Sequence, residues 1–223
     1  MSNVEIAFPI VSHVVAYAGP AAAEAAVCID RDGVVNTQQT GKYVHSWQDF
    51  SFLPNALETF VALRQAGVPT FIVTNQGGVG RGFISATALE AIHDQMAEAI
   101  YKSGGRLDAI IHCPHSPEAG CPCRKPKPGM LFTLANQFHV RLDSSTFIGD
   151  NVTDLEAGRD AGCRTILVAT GEGRRSAKRL GLPDIENSEA TPVVSAQMVG
   201  LVATAPNLYA AVSYILQNGS TRP

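Results

Sequence analysis

Eight consecutive residues, Val27-Cys28-Ile29-Asp30-Arg31-Asp32-Gly33-Val34, constrain this chain more than any others. A short apolar run bounded by polar residues reads as a strand covered on both faces, and such strands belong to parallel sheets flanked by helices. The run stops at two carboxylates and a glycine. Open parallel sheets bind their ligands beyond the carboxyl ends of the strands, so this stretch reads as the mouth of a site. On extended backbone Asp30 and Asp32 share one side, with Arg31 pointing the other way. One carboxylate can then attack or bind metal while its neighbour handles a proton. The plainer reading is a surface strand-to-turn segment, since Asp-Gly is common in turns.

The same pattern returns along the chain. A helix is expected to start near Pro54, with Leu57, Phe60, Val61 and Leu63 as its apolar face and Gly67 as its stop. Strand Val68 to Val73 follows, then a helix from about Ala86 to Tyr101 with Ser85 as N-cap. Leu89, Ile92, Met96 and Ile100 form its buried stripe, which puts His93 and Asp94 on or near the solvated face. Strands at Ala109 to His112, Thr146 to Ile148 and Thr165 to Ala169 alternate with further helices. One of these carries Leu131, Leu134, Ala135 and Phe138; the other carries Leu155, Ala157 and Ala161 and ends at Gly162. A short strand near Pro192–Ser195 and a helix near Leu208–Leu216 complete the sheet's edge. The alternation predicts an α/β fold: a mainly parallel sheet with helices on both faces. Residues 25–223 read as one domain behind an extension at 1–24. In that extension Ile6, Phe8, Ile10, Val14 and Val15 fit an extra edge strand or hairpin, and a disordered arm fits them equally.

The chemistry-bearing residues lie after the strands. The loop from Asn36 to Asp49 offers Lys42 and Tyr43 to a substrate, while Trp47 and Phe50 read as core. Thr74-Asn75-Gln76 opens a stretch rich in glycine, through Gly77, Gly78, Gly80 and Gly82, that could cradle an anion. Asp150, after Gly149, could share a magnesium ion with Asp30. Asp154, in the first turn of the next helix, either orients a metal-bound water or favours that helix N-terminus. Cys113, His115, Cys121 and Cys123 fall within eleven positions and suit tetrahedral zinc; four ligands fill the shell, so the site reads as structural. Free thiols or a disulfide are the plainer alternatives. His112 is expected to end its strand without binding metal, and Cys28 and Cys163 to be small core residues. Arg124-Lys125-Pro126-Lys127-Pro128 then makes a stiff cationic loop, suited to a phosphate or merely solvated.

Composition removes several classes. A net charge of −3 leaves no basic footprint for nucleic acid, and no apolar run reaches membrane-spanning length. The first residues lack a basic segment followed by a long apolar core. Five cysteines, an odd number with three beside a histidine, favour metal in a reducing, cytoplasmic setting over a disulfide framework. A monomer or weak homodimer is expected.

Taken together, Asp30-Arg31-Asp32-Gly33, Thr74-Asn75, Lys125 and Gly149-Asp150 with Asp154 resemble the haloacid dehalogenase (HAD) superfamily over about residues 25–170. The cysteine cluster followed by Arg124-Lys125-Pro126 is similar to two of its branches, heptose bisphosphate phosphatases and histidinol phosphatases. Lys127-Pro128-Gly129-Met130 and the run from Thr74 to Gly82 look more like the former. The resemblance implies a Rossmann-like sheet with a minimal cap and a zinc-binding loop. It implies a magnesium-dependent phosphatase of small sugar phosphates, with Asp30 as nucleophile and Asp32 as acid and base. Magnesium would be held by Asp30, Asp150 and the Asp32 backbone carbonyl. Thr74 and Lys125 would stabilise the phosphoryl oxygens, and Arg124 would read the rest of the substrate. Arg31, Tyr43, Asn75, Gln76 and Asn151 are the remaining candidates for substrate contact. Asn151 departs from the heptose branch, which often carries lysine there, and the segment from Asn36 to Tyr43 is slightly longer than usual. Histidinol phosphate is the alternative substrate. A phosphate-ligand binder without catalysis is the alternative of a different class; binding alone would not need both Asp30 and Asp32.

Overall fold

The computed structural model describes residues 9–12, 25–38, 43–185, 189–193 and 200–218. Its frame is one eight-stranded sheet. In chain order the strands are β1 (Ile10–Ser12), β2 (Val27–Ile29), β3 (Thr70–Asn75), β4 (Ala109–Cys113), β5 (Thr146–Gly149), β6 (Arg164–Val168), β7 (Thr191–Pro192) and β8 (Leu201–Ala205). The helices are α1 (Ala56–Gln65), α2 (Ala86–Lys102), α3 (Gly129–Phe138), α4 (Val152–Asp160), α5 (Gly173–Arg179) and α6 (Leu208–Gln217). Across the sheet the order is β1-β4-β3-β2-β5-β6-β8-β7. The inner strands β4 to β8 run parallel, and the two outermost, β1 and β7, are antiparallel to their neighbours.

Strand β2 lies between β3 and β5, with Ile29 opposite Ile72 on one side and Ile148 on the other. All three residues of β2 are buried, as its apolar sequence requires. The pleat divides them. Val27 and Ile29 join the core beneath α1, α2 and α6, with Phe60, Leu63, Ile92, Met96 and Val212. Cys28 joins the opposite core beneath α3, with Phe71, Phe147, Leu134 and Phe138. Cys163 lies in that second core too, so both lone cysteines are packing residues. Ser85 caps α2 by accepting from the Ala88 amide, and Trp47 stacks on Phe50 at 4.8 Å within the first core's margin.

Two expectations need correction, and one stated alternative is met. The extension at 1–24 supplies an edge strand, β1, whose Val11 opposes Ile111 of β4; the rest of it, including Ile6, Phe8, Val14 and Val15, lies outside the described residues. Leu201–Ala205 forms a full strand beside β6 that the sequence did not announce. Its alanines carry weak strand propensity, and only burial under α6 makes a strand of them. His93 is fully buried, not solvated; a charged partner described below meets its Nε2. Among the described residues no helix is long and apolar enough to cross a membrane.

Phe60 has no solvent exposure and sits centrally in the first core. Phe60→Ala is expected to lower stability by about 3–5 kcal/mol. Urea unfolding followed by circular dichroism should show a lower midpoint at unchanged slope.

Candidate active site

Because β2, β3 and β5 are parallel neighbours, their carboxyl ends open side by side. They deliver Asp30, Thr74-Asn75-Gln76 and Asp150 to one cleft of about 1140 Å³. Its lining includes Asp30, Asp32, Tyr43, Thr74, Arg124, Lys125, Asp150 and Asn151.

The floor is a buried cluster of charge. Asp30, Asp150 and Asp154 each place a carboxylate oxygen within 4.8 Å of the others, all buried. Lys125 reaches in between: its Nζ lies 2.7 Å from Asp30 Oδ1 and 2.7 Å from Asp154 Oδ1, and donates to the Val73 carbonyl at 2.9 Å. The same ammonium sits 5.3 Å from the centre of the Phe147 ring. Burial lifts Asp30, Lys125 pulls it back and Asp154 lifts it again, leaving it at about 6. Asp150 is pushed up to about 8 by burial and by the charges of Asp154 and Asp30. Burial alone would lower Lys125, but Asp154 and Asp30 outweigh it and raise it above its ordinary value. Three carboxylates against one ammonium leave uncompensated negative charge, which a divalent cation fits. Space is fixed around Asp150 as well. Its Oδ2 accepts from the Glu172 amide at 2.8 Å, and a Cβ on Gly33, where φ is +87°, would collide with it. Asp154 meets the second of its two sequence alternatives and adds a contact that neither named. It caps α4 by accepting from the Asn151 amide at 2.9 Å, and its other oxygen holds Lys125.

Asp32 stands apart from this cluster. Its oxygens accept from Arg31 Nη2 at 2.8 and 2.9 Å, from Gln76 at 2.8 Å and from Asn36 at 3.0 Å. Burial pushes Asp32 up, but the Arg31 guanidinium and the bonds from Gln76 and Asn36 outweigh it and hold the carboxyl below its ordinary range. Arg31 therefore does not point away from Asp32; it folds back onto it. Its side chain is 1% exposed, so what it offers a ligand is backbone. A tight turn makes this possible, with the amides of Val34, Val35 and Asn36 all donating to the Arg31 carbonyl.

The other candidates line the cleft and also bond within the protein. The Asn75 amide is taken up by the main chain of Lys125, donating to its carbonyl at 3.1 Å and accepting from its amide at 3.0 Å. It positions Lys125 and still lines the cleft. Gln76 bridges Asp32 and the Thr74 hydroxyl. Asn151 lines the cleft while its side-chain oxygen caps α4. Tyr43 packs 5.4 Å from Phe83 and accepts from Arg81 Nη1 at 3.1 Å, forming an outer wall; Lys42 lies outside the described residues. The glycine-rich stretch serves close packing. A Cβ on Gly80 would lie 2.6 Å from the Ser116 amide nitrogen, so that loop seats the cysteine-bearing loop. Asn36, His93, Arg81 and Phe83 were not foreseen as parts of the site. Asn36, four residues after Asp32 in a polar loop, is the one that spacing could have found.

Cys113, His115, Cys121 and Cys123 converge next to the cleft. Sulfur–sulfur separations are 3.4–3.5 Å, and His115 Nδ1 lies 3.3–3.4 Å from two of the sulfurs. A disulfide would need about 2.05 Å. With metal–sulfur bonds of about 2.3 Å, the edges of a tetrahedron run to about 3.8 Å, close to these separations. His112, one residue before Cys113, is outside the group; burial and Arg31 lower its pKa to about 4. Arg124, next after Cys123, donates back to the His115 carbonyl at 3.2 Å.

Comparison with known proteins agrees with this geometry. A family model described as HAD-hydrolase-like matches residues 122–195. The chain is 42% identical over 158 residues to the D-glycero-beta-D-manno-heptose-1,7-bisphosphate 7-phosphatase of Bordetella bronchiseptica, spanning 71% of this chain and 88% of that protein. It is 40% identical to the enzyme of the same name from Pseudomonas aeruginosa, over 70% of this chain and 85% of that one. The crystal structure of D,D-heptose 1,7-bisphosphate phosphatase from B. bronchiseptica, complexed with magnesium and phosphate, superposes with a TM-score of 0.76. It is 36% identical and covers 87% of this chain and 99% of that one. Sequence and backbone thus agree over nearly the whole length of these relatives, and the chain belongs to the HAD-like hydrolases, among their phosphatases.

Proposed function

We propose that this phosphatase removes the 7-phosphate of D-glycero-D-manno-heptose 1,7-bisphosphate through a phosphorylated Asp30. The observation that carries the reading is Lys125, delivered by the cysteine-bearing loop to within 2.7 Å of Asp30 and of Asp154. In-line phosphoryl transfer needs positioned oxygens and countercharge more than covalent machinery. With Oδ1 held by Lys125, Oδ2 of Asp30 attacks phosphorus and the sugar oxygen leaves with a proton from Asp32. Asp32 then takes a proton from water, which attacks the same phosphorus, releases phosphate and restores Asp30. Thr74 and Lys125 face the phosphoryl oxygens throughout.

The residues present fit magnesium, which favours few carboxylates together with water and substrate oxygens. Asp30 and Asp150 would hold it with the Asp32 carbonyl; Asp154 is engaged by Lys125 and the Asn151 amide. When bound, the ion supplies positive charge to the phosphoryl oxygens. Zinc fits the four donors around Cys113 and would brace Arg124 and Lys125. All five cysteines are free, which supports a reducing compartment such as the cytoplasm.

The cleft has room for a sugar as well as a phosphate. Arg124, half-buried in its wall, offers a planar fork to the second phosphate, and Tyr43, His45 and Arg81 give the sugar a polar, aromatic flank.

Five measurements test the reading. Asp30→Asn should reduce turnover of the bisphosphate by about 10³-fold or more, since nucleophile removal has effects of at least that order; retained turnover would refute the nucleophile. Arg124→Ala should cut kcat/KM for the bisphosphate about 10–100-fold, the worth of one charge-assisted hydrogen bond. Histidinol phosphate should be the poorer substrate of the unaltered enzyme, and the reverse preference would overturn the assignment. Elemental analysis should find one zinc per chain. After chelation, magnesium alone should fail to restore activity and zinc with magnesium should succeed.

A further inference from the structure

We infer that His93 is a positioning residue for this reaction: it holds the Arg31 guanidinium from behind, and through it the carboxylate of Asp32. The inference rests on the acid–base role proposed for Asp32.

Arg31 is among the largest fully buried side chains, and a buried guanidinium needs partners for its N–H groups. One edge, Nε and Nη2, faces Asp32. The remaining nitrogen, Nη1, lies 3.0 Å from His93 Nε2. A guanidinium has donors only, so Nε2 accepts and the imidazole carries its proton on Nδ1. The ring has little freedom to turn. His93 stands on α2 beside Ile92 with no solvent exposure, and the His112 ring meets it edge-on at 5.2 Å.

Asp32 depends on this support. Asn36 bonds one of its oxygens and Gln76 the other, whereas Arg31 bonds both. A tilt of the guanidinium plane therefore swings the whole carboxylate. Its side chain is 20% exposed, and it lines the cleft. A group that gives a proton to a leaving oxygen and then takes one from water must be held behind and open in front, because proton transfer needs hydrogen-bond reach to both atoms. Position 93 was expected to be solvated; the buried contact to Arg31 accounts for a polar residue there.

Two roles of His93 are separable. A histidine that only satisfies a buried arginine affects folding, and its loss lowers all activities equally. A histidine that aims Asp32 affects only steps that need its proton. A sugar hydroxyl cannot leave without a proton, whereas para-nitrophenolate can. The test is single-turnover formation of the phosphorylated enzyme from the heptose bisphosphate and from para-nitrophenyl phosphate. For His93→Leu the rate should fall about tenfold or more with the sugar and no more than about threefold with the aryl ester, within the range of general acid catalysis. KM should hold. His93→Gln, whose oxygen can accept from Nη1, should recover most of the loss. If the leucine variant does not fold, His93→Asn, too short to reach Nη1, should show the same contrast. Equal losses on both substrates, or none, would overturn the inference. Asp32→Asn separates it from the reading beneath it. If that variant lacks the contrast, the acid–base role fails; if it shows the contrast and the His93 variants do not, only the role of His93 fails.

Discussion

Three carboxylates buried within 4.8 Å of one another are the constraint on which this site turns. Like charges at that spacing cannot all stay ionised without a cation. The fold does not avoid the problem. The pairing of Ile29 with Ile148 puts Asp30 and Asp150 at the ends of adjacent strands, and the α4 cap brings in Asp154. Lys125 answers for two of the three. Asp150 keeps one backbone amide and a pKa of about 8. The apolar sheet, stable through its two cores, holds the acids where they would not gather unaided, and the remaining negative charge is what gives a divalent ion its place.

That arrangement makes the position of one lysine decisive. Lys125 comes from a loop, and loops position charges poorly unless they are tied down. This one is tied at several points. The Asn75 amide clasps its main chain, the Val73 carbonyl takes its ammonium, and Phe147 lies beneath. Immediately before it, the cysteines and His115 gather into a space the size of a metal's coordination shell. The glycine at position 80 lets the neighbouring loop press against that knot.

The fold was largely legible because its strands are short apolar runs that end in polar loops. That signal placed β2 to β6 and their helices to within a few residues. It failed at β8, where alanines gave no propensity, and could not decide the fate of the extension, because edge pairing depends on a distant partner, β4. Asp30, Lys125, Asp150 and the cysteine cluster were legible because charge after a strand, or ligand spacing, carries its own chemistry. Asn75 and Gln76 line the cleft as well as holding Lys125, Asp32 and Thr74, and sequence could not show that second task. His93 was hidden for the same reason. A histidine next to a buried stripe reads as solvated until the partner that satisfies it, 62 residues away, is known.

Asp30 and Asp32 are two residues apart and live in opposite surroundings. Burial and Asp154 lift Asp30, while Arg31, Gln76 and Asn36 hold Asp32 down. Taken alone these surroundings favour charge on Asp32 over Asp30, so the proposed roles depend on a divalent cation, whose charge beside Asp30 would keep that carboxylate ionised. In the proposed reaction the difference has a further consequence. Asp30 gives up its charge when it becomes an acyl phosphate, just as the phosphoryl oxygens arrive beside Lys125. The ammonium can therefore pass from carboxylate to phosphoryl oxygen without moving, and a fixed charge that need not reorganise is the strongest kind of transition-state stabilisation. Asp32, which becomes charged in the same step by giving up its proton, has its own cation in Arg31.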